Sequence, residues 1–145
     1  MAELTCEIVI DARPETVFPF LCDPSKYDQW LGPVVELDPN PGGVYRVRIG
    51  ENHLAAGEFI EVVPNQRVAY TFGWDLPDHP IPAGSTTVTI TLIPEGDKTR
   101  VQLVHTGLPA DAVDDHRGGW DHFLGRLGVV ATGGDPGPHQ DPESS

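Results

Sequence analysis

His105 is the residue whose type and position most clearly suggest chemistry. It follows Val101 and Leu103 at a spacing of two, so the period of a strand places all three side chains on one apolar face. An imidazole on a buried face requires hydrogen-bond partners. We therefore expect His105 to point inward, as a satisfied structural histidine, a ligand contact or a general base.

Aromatic residues form the second candidate group, because they fall in phase with the same apolar faces. Ordinary core packing is one interpretation, since aromatic rings contribute strongly to protein cores. A pocket is the other, because binding pockets are mostly apolar with a few placed polar groups. The predicted ligand-binding residues are Trp30, Tyr45, Tyr70, Phe72, Trp74, His105, Trp120 and Phe123.

Other kinds of catalytic or metal site receive little support from the sequence. It contains no GxSxG segment, no phosphate-binding P-loop and no dinucleotide fingerprint, so no cofactor is predicted. No metal is predicted either, because the histidines and aspartates that could suggest one lack the spacing of metal ligands. These residues are His53, Asp75, Asp78, His79 and His116.

Charge and composition argue against several partners. The 145 residues carry nine Lys and Arg against 22 Asp and Glu, a formal net charge of −13. Such a field repels nucleic acid and anionic lipid surfaces, and no apolar run is long enough for membrane insertion. With an acid at Glu3 in place of a basic leader, we expect a cytoplasmic protein in which Cys6 and Cys22 are free thiols.

The spacing of apolar residues predicts an α+β fold with about seven strands. Residues 3–11 alternate as a half-buried strand. Two short helices follow, one beginning at Pro14 and one at Asp23-Pro24, and the apolar stripe of the second helix consists of Tyr27, Trp30 and Leu31. Turns rich in glycine and proline then separate about six strands of an antiparallel meander, which ends near residue 107.

A long amphipathic helix is predicted near the C-terminus. Gly118-Gly119 predicts a kink or an irregular first half, with the regular helix beginning near Arg117. A curved sheet with one apolar face needs a cover, and this helix is the segment long enough to provide it. We expect a single domain over residues 1–132 and a disordered, acidic tail rich in glycine and proline over 133–145.

One rim of the sheet is predicted to gather candidate residues, because alternate connections of an up-and-down meander lie at the same end. Trp74, His53 and His105 fall near this rim. One of its connections, residues 75–83, holds three prolines and is longer than a hairpin requires, which is typical of a variable loop or of a lid. The connections that share the rim are 50–52, 75–83 and 107–109.

A series of short motifs runs along about residues 4–130. The motifs are Ala12-Arg13-Pro14-Glu15-Thr16-Val17-Phe18, Asp23-Pro24, Trp30-Leu31-Gly32-Pro33, Pro41-Gly42-Gly43-Val44-Tyr45-Arg46, Gly57-Glu58-Phe59, Val63-Pro64, Tyr70-Thr71-Phe72-Gly73-Trp74, Thr99-Arg100-Val101, His105, and Gly119-Trp120 with Leu124 and Leu127. In order and spacing they resemble the SRPBCC superfamily, also called START or birch-pollen-allergen-like. The branch they resemble most is named for the activator of the heat shock protein ninety ATPase.

The resemblance implies a helix-grip fold, in which a curved sheet wraps around a long C-terminal helix. It also implies a cavity between them for a lipid, a polyketide or another hydrophobic small molecule. We expect such a molecule to be bound without being transformed. Two alternatives stay open: a cyclase, aromatase or hydrolase with His105 as general base, and a chaperone-interacting module of the stress response. The oligomeric state is expected to be a monomer or a homodimer.

Overall fold

Seven antiparallel strands form one curved sheet in the computed structural model, which describes residues 2–30, 34–48, 54–75 and 81–134. The order across the sheet is β1-β7-β6-β5-β4-β3-β2. Strands β2 to β7 follow one another as a meander, and β1 joins the free edge of β7, which confirms the predicted seven strands. The strands are β1 Ala2–Ile10, β2 Val34–Leu37, β3 Val44–Arg48, β4 Leu54–Val63, β5 Arg67–Phe72, β6 Thr86–Glu95 and β7 Lys98–Leu108.

The strands bury alternate residues, as the period of two requires. In β6, Val88, Ile90 and Leu92 are buried while the threonines between them are partly exposed. In β7, the buried positions include Leu103 and His105, and His105 has no exposed surface. The prediction that His105 points inward is confirmed.

The segment between β1 and β2 forms three single helical turns: α1 Pro14–Val17, α2 Pro19–Cys22 and α3 Pro24–Tyr27. The prediction of one helix after Pro14 was wrong, because Pro19 has no N–H to donate and starts a new turn. The second predicted helix also ends early, since α3 stops at Tyr27 and Trp30 lies beyond it; Leu31 lies outside the described residues. Asp23 does cap α3, accepting a hydrogen bond from the Ser25 N–H at 3.0 Å.

The long helix α4 covers Val113–Ala131 and follows a 3₁₀ turn, Ala110–Ala112. The predicted start near Arg117 was wrong, and the helix continues through Gly118 and Gly119. A methyl group added at either glycine would contact nothing within 4 Å, so neither glycine is required by a close neighbour. Tertiary burial of the helix's apolar face outweighs the weak helix propensity of glycine. The residues of α4 that are buried are Trp120, Phe123, Leu124, Leu127, Val130 and Ala131.

Two residues of the predicted tail take part in the end of α4. Gly133 has a φ of +87° and donates its N–H to the Val130 carbonyl, and the Gly134 N–H donates to the Val129 carbonyl at 2.8 Å. A glycine with positive φ followed by such backbone bonds is a common way to end a helix. Residues 135–145 lie outside the described residues, so their predicted disorder stays a prediction.

Hydrogen bonds fix α4 across the buried face of the sheet. The Arg117 side chain donates to the Thr5 carbonyl of β1 at 3.0 Å. Further along, Arg126 Nε donates to the Trp30 carbonyl at 3.1 Å, which joins α4 to the segment after α3. Of the helices within the described ranges, none is both long and apolar enough to cross a membrane.

Substitution of glycine by alanine tests whether position 118 of α4 requires glycine. We expect Gly118→Ala to raise the free energy of unfolding by about 0.5–1 kcal/mol, because alanine favours the helix and has open space there. Gly57→Ala should instead destabilise the fold, because its methyl group would collide with the Thr71 carbonyl. Urea unfolding measures the change in stability of both variants, and a loss of stability in Gly118→Ala would contradict a helical position with open space at Gly118.

Candidate functional site

The predicted ligand-binding side chains belong to the core to which the sheet, α4 and the segment after α3 contribute. Seven of the eight are buried, and Trp74 is partly exposed. Phe123 lies one turn beyond Trp120 on α4, where its ring contacts His122. The residues joined by ring-to-ring contacts, directly or through Tyr27, are Trp30, Tyr45, Tyr70, Phe72, Trp74, His105 and Trp120.

Phe72 lies at the centre of this aromatic layer. Its ring is edge-on to Trp74 and to His105, at centroid distances of 5.3 Å and 5.2 Å. Trp120 of α4 approaches it at 5.8 Å, and Tyr45 lies on its other side at 6.4 Å. The rings therefore pack against one another over the region where a ligand cavity was predicted.

Three tyrosine hydroxyls meet at the deeper end of the layer. Tyr27 Oη is 2.6 Å from Tyr45 Oη and 3.4 Å from Tyr70 Oη. The rings of Tyr45 and Tyr70 are stacked, with centroids 4.1 Å apart. All three side chains are at most 1% exposed, so water does not reach this hydroxyl cluster.

The hydroxyl cluster is joined through Tyr27, which contacts both of the other hydroxyls. A hydrogen-bond interaction between Tyr45 and Tyr70 also affects their pKa values. Burial raises the pKa of Tyr70 to about 12 and raises the pKa values of Tyr27 and Tyr45 well above their ordinary range. All three hydroxyls therefore stay protonated.

His105 belongs to a chain of hydrogen bonds that crosses the core. The indole N–H of Trp120 donates to His105 Nδ1 at 3.1 Å. Because an indole nitrogen only donates, Nδ1 is the acceptor and the ring hydrogen is on Nε2. Nε2 then donates to Thr86 Oγ1 at 2.8 Å, and this hydroxyl donates to the Phe72 carbonyl at 2.6 Å.

This arrangement makes His105 a poor base. Both ring nitrogens are engaged, and burial, with a smaller contribution from the nearby His116, lowers the pKa of His105 to about 3. A general base needs a free nitrogen and a pKa near the working pH. Of the three interpretations of His105, the satisfied structural histidine agrees best with this geometry.

His116, one helical turn before Trp120, has one ring nitrogen without a partner. Its Nδ1 lies 2.9 Å from the Ala112 carbonyl, while its Nε2 is buried and has no hydrogen-bond partner within the described part of the chain. The His116 ring lies 5.5 Å from that of His105 and 6.3 Å from that of Trp74. A buried polar atom without a partner is uncommon in a folded protein.

A recess opens at the rim beside the hydrogen-bond chain of His105. Its volume is about 420 Å³. Thr86, which bonds to His105, is one of the residues that line it. The recess therefore brings the surface close to the polar groups of the core. The lining residues are Ile81, Pro82, Ser85, Thr86, Gly107, Leu108, Pro109 and Ala110.

The predicted gathering of connections at one rim agrees with the described residues. Trp74 forms isolated β-bridges with Ala55 of β4 and with Pro82, so the beginning of β4 and the described part of the β5–β6 connection meet there. Residues 76–80 and His53 lie outside the described residues. The lid and the place of His53 therefore stay predictions.

Other reactive groups are in unreactive states. Cys6 and Cys22 are free thiols, as predicted, and burial is the main cause that raises the pKa of each to about 11. Thiols with such pKa values are not nucleophiles at neutral pH. Within the ranges that the structure describes, no three His, Cys, Asp or Glu side chains group as a metal site.

Three residues of the site were not predicted as ligand contacts. Tyr27 was assigned to a helix stripe and His116 to a set of unsupported metal ligands. Thr86 was not considered, although it falls in phase with the buried Val88 and Ile90. A polar residue in phase with a buried face is the same signal that identified His105, so Thr86 could have been found from the sequence.

Comparison with known proteins gives one family and many similar folds. The family model described as activator of Hsp90 ATPase homolog 1-like protein matches residues 11–132. Among solved structures, an AHSA1-like protein from Rhizobium etli is 43% identical, with a TM-score of 0.74, over 97% of this chain and 87% of that one. The comparison with curated proteins found no match.

Two further structures share the fold at lower identity. The Aha1 dimer from Colwellia psychrerythraea is 19% identical, with a TM-score of 0.79, over 92% of this chain and 98% of that one. DynU16, a protein of the dynemicin biosynthetic locus, is 22% identical with a TM-score of 0.81; the match covers 94% of this chain and 49% of that one. These two similarities support the fold alone.

Phenylalanine substitutions test the hydroxyl cluster. Tyr27→Phe removes both contacts of the Tyr27 hydroxyl, at 2.6 Å and 3.4 Å, and we expect a loss of about 1–3 kcal/mol. Tyr70→Phe keeps the short Tyr27–Tyr45 bond, so a change of less than about 1 kcal/mol is expected. Urea unfolding measures both variants, and equal costs would contradict the central place of Tyr27 in the cluster.

The low pKa of His105 predicts a pH dependence of stability. The unfolded chain protonates His105 below its ordinary pKa of 6.5, whereas the folded chain resists protonation until about pH 3. This contribution is fully present above pH 6.5 and is lost as the pH falls toward 3, at up to about 1.4 kcal/mol per pH unit. Urea unfolding at several pH values should show that the free energy of unfolding of His105→Phe falls less steeply with decreasing pH than that of the wild type.

Trp120→Phe serves as the control for this pH series. It also breaks the chain of hydrogen bonds but keeps the titrating imidazole, so it should retain a pH-dependent loss through His105. If His105→Phe and the wild type lose stability in parallel between pH 6.5 and pH 3, the assignment of this contribution to His105 is wrong.

Proposed function

Because this chain belongs to the activator of Hsp90 ATPase homolog 1-like family of the SRPBCC superfamily, we propose that it binds a hydrophobic or amphipathic small molecule. The molecule lies between the sheet and the C-terminal helix α4. A lipid, a polyketide or an aromatic metabolite fits this description. The protein binds it without transforming it.

The observation that carries the proposal is the buried hydroxyl cluster of Tyr27, Tyr45 and Tyr70 within an apolar aromatic layer. Phenylalanine would fill the same space without burying a polar group. Binding sites for small molecules combine apolar walls with a few polar groups that orient the ligand. These hydroxyls supply such polar groups for an oxygen or nitrogen atom of a ligand.

The recess at the rim offers a route toward this region. It lies between residues 81–86 and 107–110, and one of its lining residues, Thr86, belongs to the hydrogen-bond chain of His105. The rings of the aromatic layer contact one another in this structure, so a ligand that reaches the tyrosines must displace some of these contacts. We therefore propose entry at the recess followed by rearrangement of rings such as Trp120.

The states of the reactive groups favour binding over catalysis. His105 has both nitrogens engaged and a pKa of about 3. The buried tyrosines stay protonated, and so do both thiols. The enzyme alternative therefore gains no support from His105.

The chaperone alternative would use an exposed surface in place of the recess. Its support is the family name and the shared fold with the Aha1 dimer. That dimer also makes a homodimer a reasonable proposal for this chain. Binding experiments that block the recess separate this alternative from the small-molecule proposal.

Titration with the neutral dye Nile red tests the proposal. Its emission should shift to the blue on binding, because the dye leaves water for an apolar site. Ala110→Trp fills the recess from its lining and should weaken dye binding at least about tenfold, which corresponds to about 1.4 kcal/mol. Native mass spectrometry of protein purified from its own host should also show a bound small molecule.

Asp97→Trp is the matched control. Asp97 lies in the β6–β7 turn at the opposite end of the sheet, with its side chain 86% exposed, so a tryptophan there should leave dye binding unchanged. Dye binding that survives Ala110→Trp would reject entry at the recess. Absence of dye binding to the wild type, together with no retained molecule, would favour the surface-interaction alternative.

A further inference from the structure

We propose that His116 is a ligand-binding residue whose Nε2 atom accepts a hydrogen bond from a hydroxyl or N–H group on an aromatic ligand. The inference rests on the proposed function and adds one chemical requirement. The ligand must carry a hydrogen-bond donor at the end that lies near the rim.

The hydrogen bond on the other side of the ring fixes what Nε2 can do. His116 Nδ1 lies 2.9 Å from the carbonyl oxygen of Ala112, four residues earlier in the chain. Because a carbonyl only accepts, Nδ1 carries the hydrogen. In the neutral imidazole the other nitrogen, Nε2, then has a free lone pair, so it is an acceptor that needs a donor.

No donor is supplied by the surroundings that the structure describes. Nε2 is buried from solvent and has no partner there. The neighbouring imidazole cannot help, because His105 uses Nδ1 for Trp120 and Nε2 for Thr86. Burial without a partner is unfavourable for a polar nitrogen, and a ligand donor would remove this cost.

The rings around His116 favour an aromatic ligand. The imidazole of His105 is nearly perpendicular to it, at 83° and 5.5 Å, and the indole of Trp74 lies at 6.3 Å and 46°. Aromatic rings prefer such edge-to-face and tilted contacts with other rings. A planar ligand ring placed among them would gain these contacts while its hydroxyl or N–H reaches Nε2.

His116 also lies close to the recess. Its Nδ1 partner Ala112 belongs to the same 3₁₀ turn as Ala110, which lines the recess. On the other side, Thr86 lines the recess and bonds to His105. His116 therefore contacts two residues, Ala112 and His105, that adjoin the lining of the recess, although it does not line the recess itself.

Two probes of the same ring system test the requirement for a donor. 2-Naphthol carries a hydroxyl, and 2-methoxynaphthalene has the same rings without a donor. Calorimetric or fluorescence titration of the full chain should show that 2-naphthol binds about threefold to tenfold more tightly than the ether, the effect of one hydrogen bond. In His116→Phe both probes should bind with nearly equal affinity.

Two further variants separate the hydrogen bond from the packing. His116→Gln keeps an acceptor oxygen and should retain part of the preference for 2-naphthol. His122→Phe changes an exposed histidine on the same helix and should retain all of it. If a His116 variant fails to fold, the wild-type protein provides the test by NMR. The ¹⁵N chemical shift of His116 Nε2 should change when 2-naphthol is added and should not change when 2-methoxynaphthalene is added.

The outcomes distinguish this inference from the proposed function. Equal binding of the two probes to the wild type, or a preference that persists in His116→Phe, would overturn the role of His116 and leave the binding function in place. Absence of binding by both probes would count against the proposed function itself, and the role of His116 would fall with it.

Discussion

The hydrogen-bond chain from Trp120 through His105 and Thr86 to the Phe72 carbonyl is the interaction on which the arrangement of the core depends. It joins α4 to three neighbouring strands, β7, β6 and β5, and every donor along it has an acceptor. A buried network of this kind stabilises a core only when all its members are satisfied. Because the indole N–H only donates and the Phe72 carbonyl only accepts, the direction of each hydrogen bond in the chain is determined, and with it the position of the hydrogen on His105. The chain also holds α4 against the sheet.

The position of α4 in turn places His116. Residues four apart on a helix project from the same face, so fixing Trp120 against His105 brings the His116 ring beside the same imidazole. The chain that satisfies His105 thus leaves His116 next to a ring that has no free nitrogen for it. At the deeper end, the tyrosine cluster places three protonated hydroxyls within the apolar core. His116 and this cluster suit recognition of a ligand better than proton transfer.

Several elements of the fold follow from local sequence rules, and the predictions that were wrong have identifiable physical reasons. The strands were predictable because alternation of apolar residues determines which face is buried. Pro19 divides the first helix because a missing N–H cannot be replaced inside a regular turn. Gly118 and Gly119 suggested an interruption of α4 that does not occur. The low helix propensity of glycine is a small local effect, and burial of the apolar face of α4 contributes more to the stability of the helix.

The sequence alone determined the strand order along the chain, the inward direction of His105 and the aromatic character of the buried face, because each depends on spacing within one element. The partners of His105 and the meeting of three tyrosine hydroxyls were decided by the tertiary structure. Tyr27, Tyr45 and Tyr70 come from separate elements, and spacing along one strand or helix contains no information about distances between them. The same reason applies to His116, whose unpartnered nitrogen becomes evident only when the helix, the 3₁₀ turn and the rim of the sheet are assembled.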